Sequence, residues 1–190
     1  MSKKSGTSLP TKDNPQKGIV PIVFQGVFTG IVFAAQKYGN LETVLDTLCP
    51  VPLDVTKAVL LFVIFSGFLQ GMMASATNAA RVKYNVPWPH TFALEGNKDK
   101  IAFDCVQRAH INFTENYTQY LAVFYFAACE APHCAVAFGM FYLLGRLAFA
   151  NGYYSGNAAN KDAGVFGYML GAFPLLGLMN IYAAKQFGLL

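Results

Sequence analysis

The chain has 190 residues, of which 54% are hydrophobic and only 13% charged, with a formal net charge of +4. A soluble domain carries roughly 25% charged residues. Here the charges are missing from whole windows of sequence, which excludes an ordinary soluble fold and points to a single membrane domain. There is no long basic run and no basic–aromatic interleaving in a polar segment, so the composition also speaks against nucleic-acid binding.

In chain order, residues 1–17 are polar, hold Pro10 and Pro15, and read as a flexible tail. Gly18 to Gln36 is 19 residues without a charge, close to the roughly 20 that a spanning helix needs. It reads as an extra N-terminal membrane helix over 18–36. Its small-residue cleavage site is too weak for a signal peptide. Residues 37–54, with Glu42, Asp46, Pro50 and Pro52, form a connector outside the membrane. Asp54 is a suitable N-cap for the next helix, whose uncharged core runs from Ala58 to Ala80. Gly67 and Gly71 within it have the small-residue spacing of close helix packing.

Arg81 to Lys100 is a polar loop, stopped by Pro87-Trp88-Pro89, with Tyr84 and Trp88 suited to the membrane interface. A helix over about 101–129 follows, then a short turn at Glu130 to His133. A second apolar helix runs over about 134–154, and a last one over 163–184 contains Pro174. The organisation expected is an all-α integral membrane protein. Residues 1–54 supply tail, extra helix and connector, and residues 55–190 form a four-helix transmembrane bundle. The lysines and arginines favour the loops on one side, which places the N-terminus in the cytosol. Of the cysteines, Cys49, Cys105, Cys129 and Cys134, none form a CxxC pair, and no Cys/His cluster has zinc spacing. No metal is expected, and the default for the thiols is reduced.

The chemistry concentrates in Phe103-Asp104-Cys105-Val106-Gln107-Arg108-Ala109-His110-Ile111-Asn112, with Glu115 beyond it. Arg108, Asn112 and Glu115 stand at i, i+4 and i+7, within an arc of about 80° on a helix, and Asp104 lies on the same stripe. Ionisable groups on a membrane helix are costly unless paired or facing a wet cavity. Arg146 is the one charge of the next helix, with Tyr153 on its face. Arg81, Arg108, Arg146 and Tyr153 all fall toward one membrane side. Three arginines with Asn112, Glu115 and Tyr153 suit a small ligand with several carboxylates, such as a short acidic peptide, because guanidinium forks bind carboxylates at two points. The same residues also read as lipid-phosphate contacts by Arg81 and Arg146, with Arg108 paired to Glu115 or Asp104.

The Gln-Arg-Ala-His segment, together with Gly145-Arg146-Leu147 and Asn151-Gly152-Tyr153-Tyr154-Ser155-Gly156, resembles the membrane-associated proteins in eicosanoid and glutathione metabolism (MAPEG), in the wording of the microsomal glutathione transferase 3 branch. The resemblance covers about residues 55–188. It implies a four-helix membrane bundle assembled as a homotrimer, with glutathione as co-substrate bound in bent form between subunits near the cytosolic boundary. Arg81, Arg108, His110, Asn112, Glu115, Arg146 and Tyr153 match ligand-contacting positions. The implied activity is conjugation of glutathione to lipophilic electrophiles from the lipid phase, or reduction of lipid hydroperoxides, in an endoplasmic reticulum membrane by preference over mitochondrial or plastid membranes. Three departures stand out: Phe149 and Asn116 replace family tyrosines, and the loop after Tyr153 offers only Lys161, beside Asp162, where the family places a thiol-activating arginine. Lys161 is the remaining candidate for that catalytic role. Binding of glutathione is therefore better supported than turnover, and the other reading is a non-catalytic accessory or scaffold subunit of a larger membrane complex.

Overall fold

A computed structural model of the chain describes residues 26–190 apart from 28, 36, 38 and 50. The described residues form helices and connecting turns, with no strand among them. The first part of the expected extra span, 18–25, lies outside the described residues; residues 26–27, 29–35 and 37 are helical. A short helix α1 (Leu41–Leu48) follows. The bundle is then built from α2 (Val55–Lys83), α3 (Lys100–Glu130), α4 (Pro132–Tyr154) and, after a 3-10 turn at Ala158–Lys161, α5 (Asp162–Gln186).

Local chemistry sets these boundaries. The Asp54 carboxylate accepts the Lys57 N–H at 2.9 Å, capping α2. That helix ends where Asn85 turns to φ 52° ahead of Pro87. Only Ala131 separates α3 from α4, and Pro132 sits in the first turn of α4, where its missing N–H costs nothing.

Among the described residues three helices are long and apolar enough to cross a membrane: Val55–Tyr84, Pro132–Tyr154 and Ala158–Gln186. The 31-residue α3 has the length, but its acids, bases and amides keep it outside that class, although it packs against α2, α4 and α5. In a bundle its polar residues are tolerable because its neighbours supply their partners. One such link crosses the interior, where the Ser66 and Tyr117 hydroxyls meet at 3.1 Å between α2 and α3.

The closest backbone approach is between α4 and α5. A Cβ added at Gly145 would run into the backbone of Gly167 and Tyr168, and one at Gly171 into Tyr142 and Phe138. One at Gly164 would strike Phe149. Small residues at a helix crossing let the backbones meet. Among the described residues the expected packing spacing at Gly67 and Gly71 meets no neighbour, since none of their atoms lies within 4 Å of a Cβ at either position. That face of α2 instead shows Ile64 and Phe68 to the surroundings, 55% and 70% exposed.

The connector is not structureless. Helix α1 carries Glu42, whose carboxylate accepts the backbone N–H of His133 and of Cys134, each at 2.9 Å. It also meets the His133 ring at 2.9 Å, and the other ring nitrogen reaches the Val51 carbonyl. A carboxylate from one helix thus closes the open N-terminus of another, where the helix dipole favours negative charge. Burial alone would raise the Glu42 carboxyl, but the N–H groups of His133 and Cys134 and the His133 ring outweigh it and hold the group below the ordinary glutamate range. A depressed carboxyl contributes its full stability above the unfolded pKa and loses it as pH falls through the folded one. Asp46 also faces the His133 ring, at 3.5 Å. We expect Glu42→Gln to cost about 1–2 kcal/mol and to raise hydrogen exchange of the Leu41–Leu48 amides at neutral pH. The native chain should reach the same exchange only in acid.

Candidate functional site

Arg146 organises the site. It is 2% exposed, in the last turns of α4. Its Nη1 donates to Asn112 Oδ1 at 2.9 Å and its Nη2 to the Asn112 carbonyl at 2.8 Å, so one guanidinium fork holds side chain and backbone of the same residue on α3. Asn116, four residues on, donates to the same carbonyl at 2.7 Å. Four rings surround the guanidinium: Phe113, Tyr142, Phe149 and Tyr168, at 5.6, 5.7, 5.5 and 5.0 Å. Cation–π attraction to several rings offsets the desolvation of a charge that has no carboxylate partner among the described residues. Phe149 is one of these walls and also lies edge-on to Tyr153, 5.0 Å between centroids.

Beside this buried fork stands an exposed pair. Arg108 and Glu115 meet at 3.3 Å across two turns of α3, with side chains 45% and 50% exposed. Asp104, expected on the same stripe, belongs elsewhere: it accepts the Ala93 N–H and pairs with Lys100 at 3.0 Å. Lys100 at i−4 was the signal for that pairing. Of the open alternatives, Arg108 takes Glu115. His110 is not brought to this stripe: it lies about 200° round the helix from Arg108, and its carbonyl accepts from Thr114 at 3.1 Å.

Tyr153 and Lys161 are brought together. Gly152 leaves no room for a side chain against Asn160, so the 3-10 turn lies on the end of α4. Lys161 is thereby carried to 6.0 Å from the Tyr153 ring. Its ammonium already donates to the Ala158 carbonyl at 3.1 Å and faces Asp162 at 3.7 Å. Arg81 stands apart from the others. Its guanidinium lies 3.8 Å from the Trp88 ring and 5.4 Å from that of Phe103, and it donates to the His90 carbonyl at 2.8 Å. Tyr117 points away to Ser66.

A model of the MAPEG family matches residues 59–183, well over half of the chain. The chain belongs to the MAPEG family. It is accordingly an all-helical integral membrane protein of a family tied to eicosanoid or glutathione metabolism. The matched residues include all eight candidates, from Arg81 to Lys161, and leave out α1 with its Glu42 clasp. The cage rings Tyr142 and Tyr168 escaped the sequence reading of this MAPEG chain. They sit on helices apolar all round, where one tyrosine among many carries no signal. Their i−4 spacing from Arg146 and from Ala172, on the tight face of α5, was the only available hint.

Proposed function

We propose that the protein is a glutathione-binding enzyme of the microsomal transferase or peroxidase kind, acting on lipophilic electrophiles or lipid hydroperoxides from the bilayer. The observation that carries this reading is the half-exposed Arg108–Glu115 pair on α3 beside the caged fork by which Arg146 of α4 holds Asn112. A membrane helix keeps charge on its outer face when a polar ligand or a second chain covers it. Glutathione offers carboxylates to Arg108 and Arg146 and an ammonium to Glu115, with His110, Asn112 and Tyr153 as further hydrogen-bonding groups. In this reading the site closes between copies of a homotrimer, with Arg81 of the set reaching the ligand only if it leaves Trp88. Orientation with the site toward the cytosol, in the endoplasmic reticulum, fits the lysine distribution.

Turnover needs a thiolate, and a nearby cation lowers a thiol pKa of about 8.5. Lys161 is the residue positioned to do so, but it is shared with Asp162 and Ala158. That favours a second reading, in which the site binds glutathione without activating it and the chain serves as an accessory or scaffold subunit. The test is ultraviolet difference absorbance of the detergent-solubilised protein with glutathione, beside calorimetry, on native protein and Arg108→Ala. Binding with a thiolate band is expected, and both should vanish in the variant with a loss of about 2 kcal/mol or more. Heat without the band selects the accessory reading. No heat at saturating glutathione sinks both.

A further inference from the structure

The loop between α2 and α3 is folded, yet it leaves large apolar side chains outside. Val86 and Ala93 are buried, 4% exposed each, in a small core with Ala80, Phe103 and Val106. The loop is pinned at four places: Arg81 to His90 O, Asn97 to Tyr84 O, and Asp104 and Lys100 to the two backbone groups of Ala93. A loop held this firmly has room to hide its apolar residues, but Trp88 is 72% exposed, Phe92 41% and Leu94 57%. Trp88 presents one face to the Arg81 guanidinium and the rest outward. Polar backbone satisfied inside and aromatic side chains outside is an arrangement for a partner that is apolar but tolerant of charge.

We propose that this loop is seated in the headgroup layer of the bilayer, with Trp88, Phe92 and Leu94 inserted and Arg81 as the residue that positions it. Three observations choose the lipid over other occupants. The loop begins directly at the end of a helix that is long and apolar enough to span, Val55–Tyr84, so its first turn lies at membrane depth. Lys83 and Lys98 are exposed on either side of it, which suits lipid phosphates. Tryptophan and tyrosine, with an apolar body and a polar edge, concentrate at that depth. The stack also explains why an arginine is needed at 81. A planar guanidinium covers the indole face and still donates to His90, which a lysine ammonium does not reproduce. This inference does not rest on the glutathione reading.

The chain has a single tryptophan, so its fluorescence reports this loop alone. The full chain would be reconstituted in phosphatidylcholine vesicles, with and without phosphatidylglycerol, and quenched with lipids brominated at graded depths or with aqueous acrylamide. Strongest quenching by the shallowest bromines, weak quenching by acrylamide, and the same result at one chain per nanodisc are expected. Acrylamide quenching as strong as for free tryptophan overturns the proposal. So does shielding that disappears at one chain per nanodisc, which would make a second copy the occupant. Arg81→Gln should increase acrylamide quenching several-fold with unchanged helix content, while Arg81→Lys recovers only part of the shielding.

Discussion

Replacing Gly145 with alanine is expected to cost about 3 kcal/mol, the upper part of the range for overpacked interiors, measured by thermal unfolding of the detergent-dispersed single chain. The added methyl has nowhere to go. Its neighbours are the backbone atoms of Gly167 and Tyr168, so no rotamer change relieves the clash, and α5 must move away from α4 as a body. That movement would also carry the Tyr168 ring off Arg146, 5.0 Å away. The loss of packing should therefore appear together with a loss of ligand affinity. Gly164→Ala and Gly171→Ala meet backbone in the same way and should behave alike. Gly67→Ala is the control. Nothing lies within 4 Å of its added carbon, and alanine is the better helix former by about 1 kcal/mol, so unchanged or slightly raised stability is expected. Equal damage from Gly67→Ala and Gly145→Ala would contradict the packing described.

The second large effect concerns the Arg146–Asn112 fork, where stability and binding should separate. Asn112→Leu leaves the buried guanidinium with a carbonyl alone. A lost hydrogen bond to a charged group costs about 1.5–3 kcal/mol. Arg146→Met removes the charge and keeps a long apolar side chain among Phe113, Tyr142, Phe149 and Tyr168. Replacing a buried charge by a well-packed apolar group is often neutral or stabilising. The expected result is a less stable Asn112→Leu that keeps some glutathione binding, and a stable Arg146→Met that keeps none. Thermal unfolding and calorimetry on the same two preparations decide it. If Arg146→Met were the less stable of the two, the arginine would be a structural strut rather than a ligand group.

Much of this architecture was legible in the chain because membrane helices announce themselves by the absence of charge. The ends of α2, α4 and α5 fall within a few residues of where charge, proline and the Asp54 cap place them. Periodicity on one helix left Arg108 a choice between Glu115 and Asp104, and Glu115 takes it because Lys100 and the Ala93 N–H hold Asp104. What lay beyond reach was contact between helices. Nothing in the spacing of Gly67 and Gly71 distinguishes them from Gly167 and Gly171, which do meet α4, since GxxxG records small residues and not which face meets a neighbour. Glu42 and His133 are 91 residues apart, and neither residue announces the other. Arg81 was grouped with the site by its charge and its end of the membrane. The stacking that claims it comes from a loop whose path depends on the Asp104 and Lys100 anchors.

The hydroxyl pair of Ser66 and Tyr117 has a mechanical meaning. Alone among the described hydrogen bonds between side chains, it joins α2 to α3. Helices with smooth apolar faces can ratchet past one another by a turn, about 5.4 Å, and repack nearly as well. After such a slip here, the Tyr117 hydroxyl would lose its partner while Ser66 kept the Val63 carbonyl of its own helix, 3.2 Å away, at a penalty of about 1 kcal/mol. The pair therefore fixes the register of α2 against α3, and with it the height at which Arg81 leaves the membrane relative to Arg108.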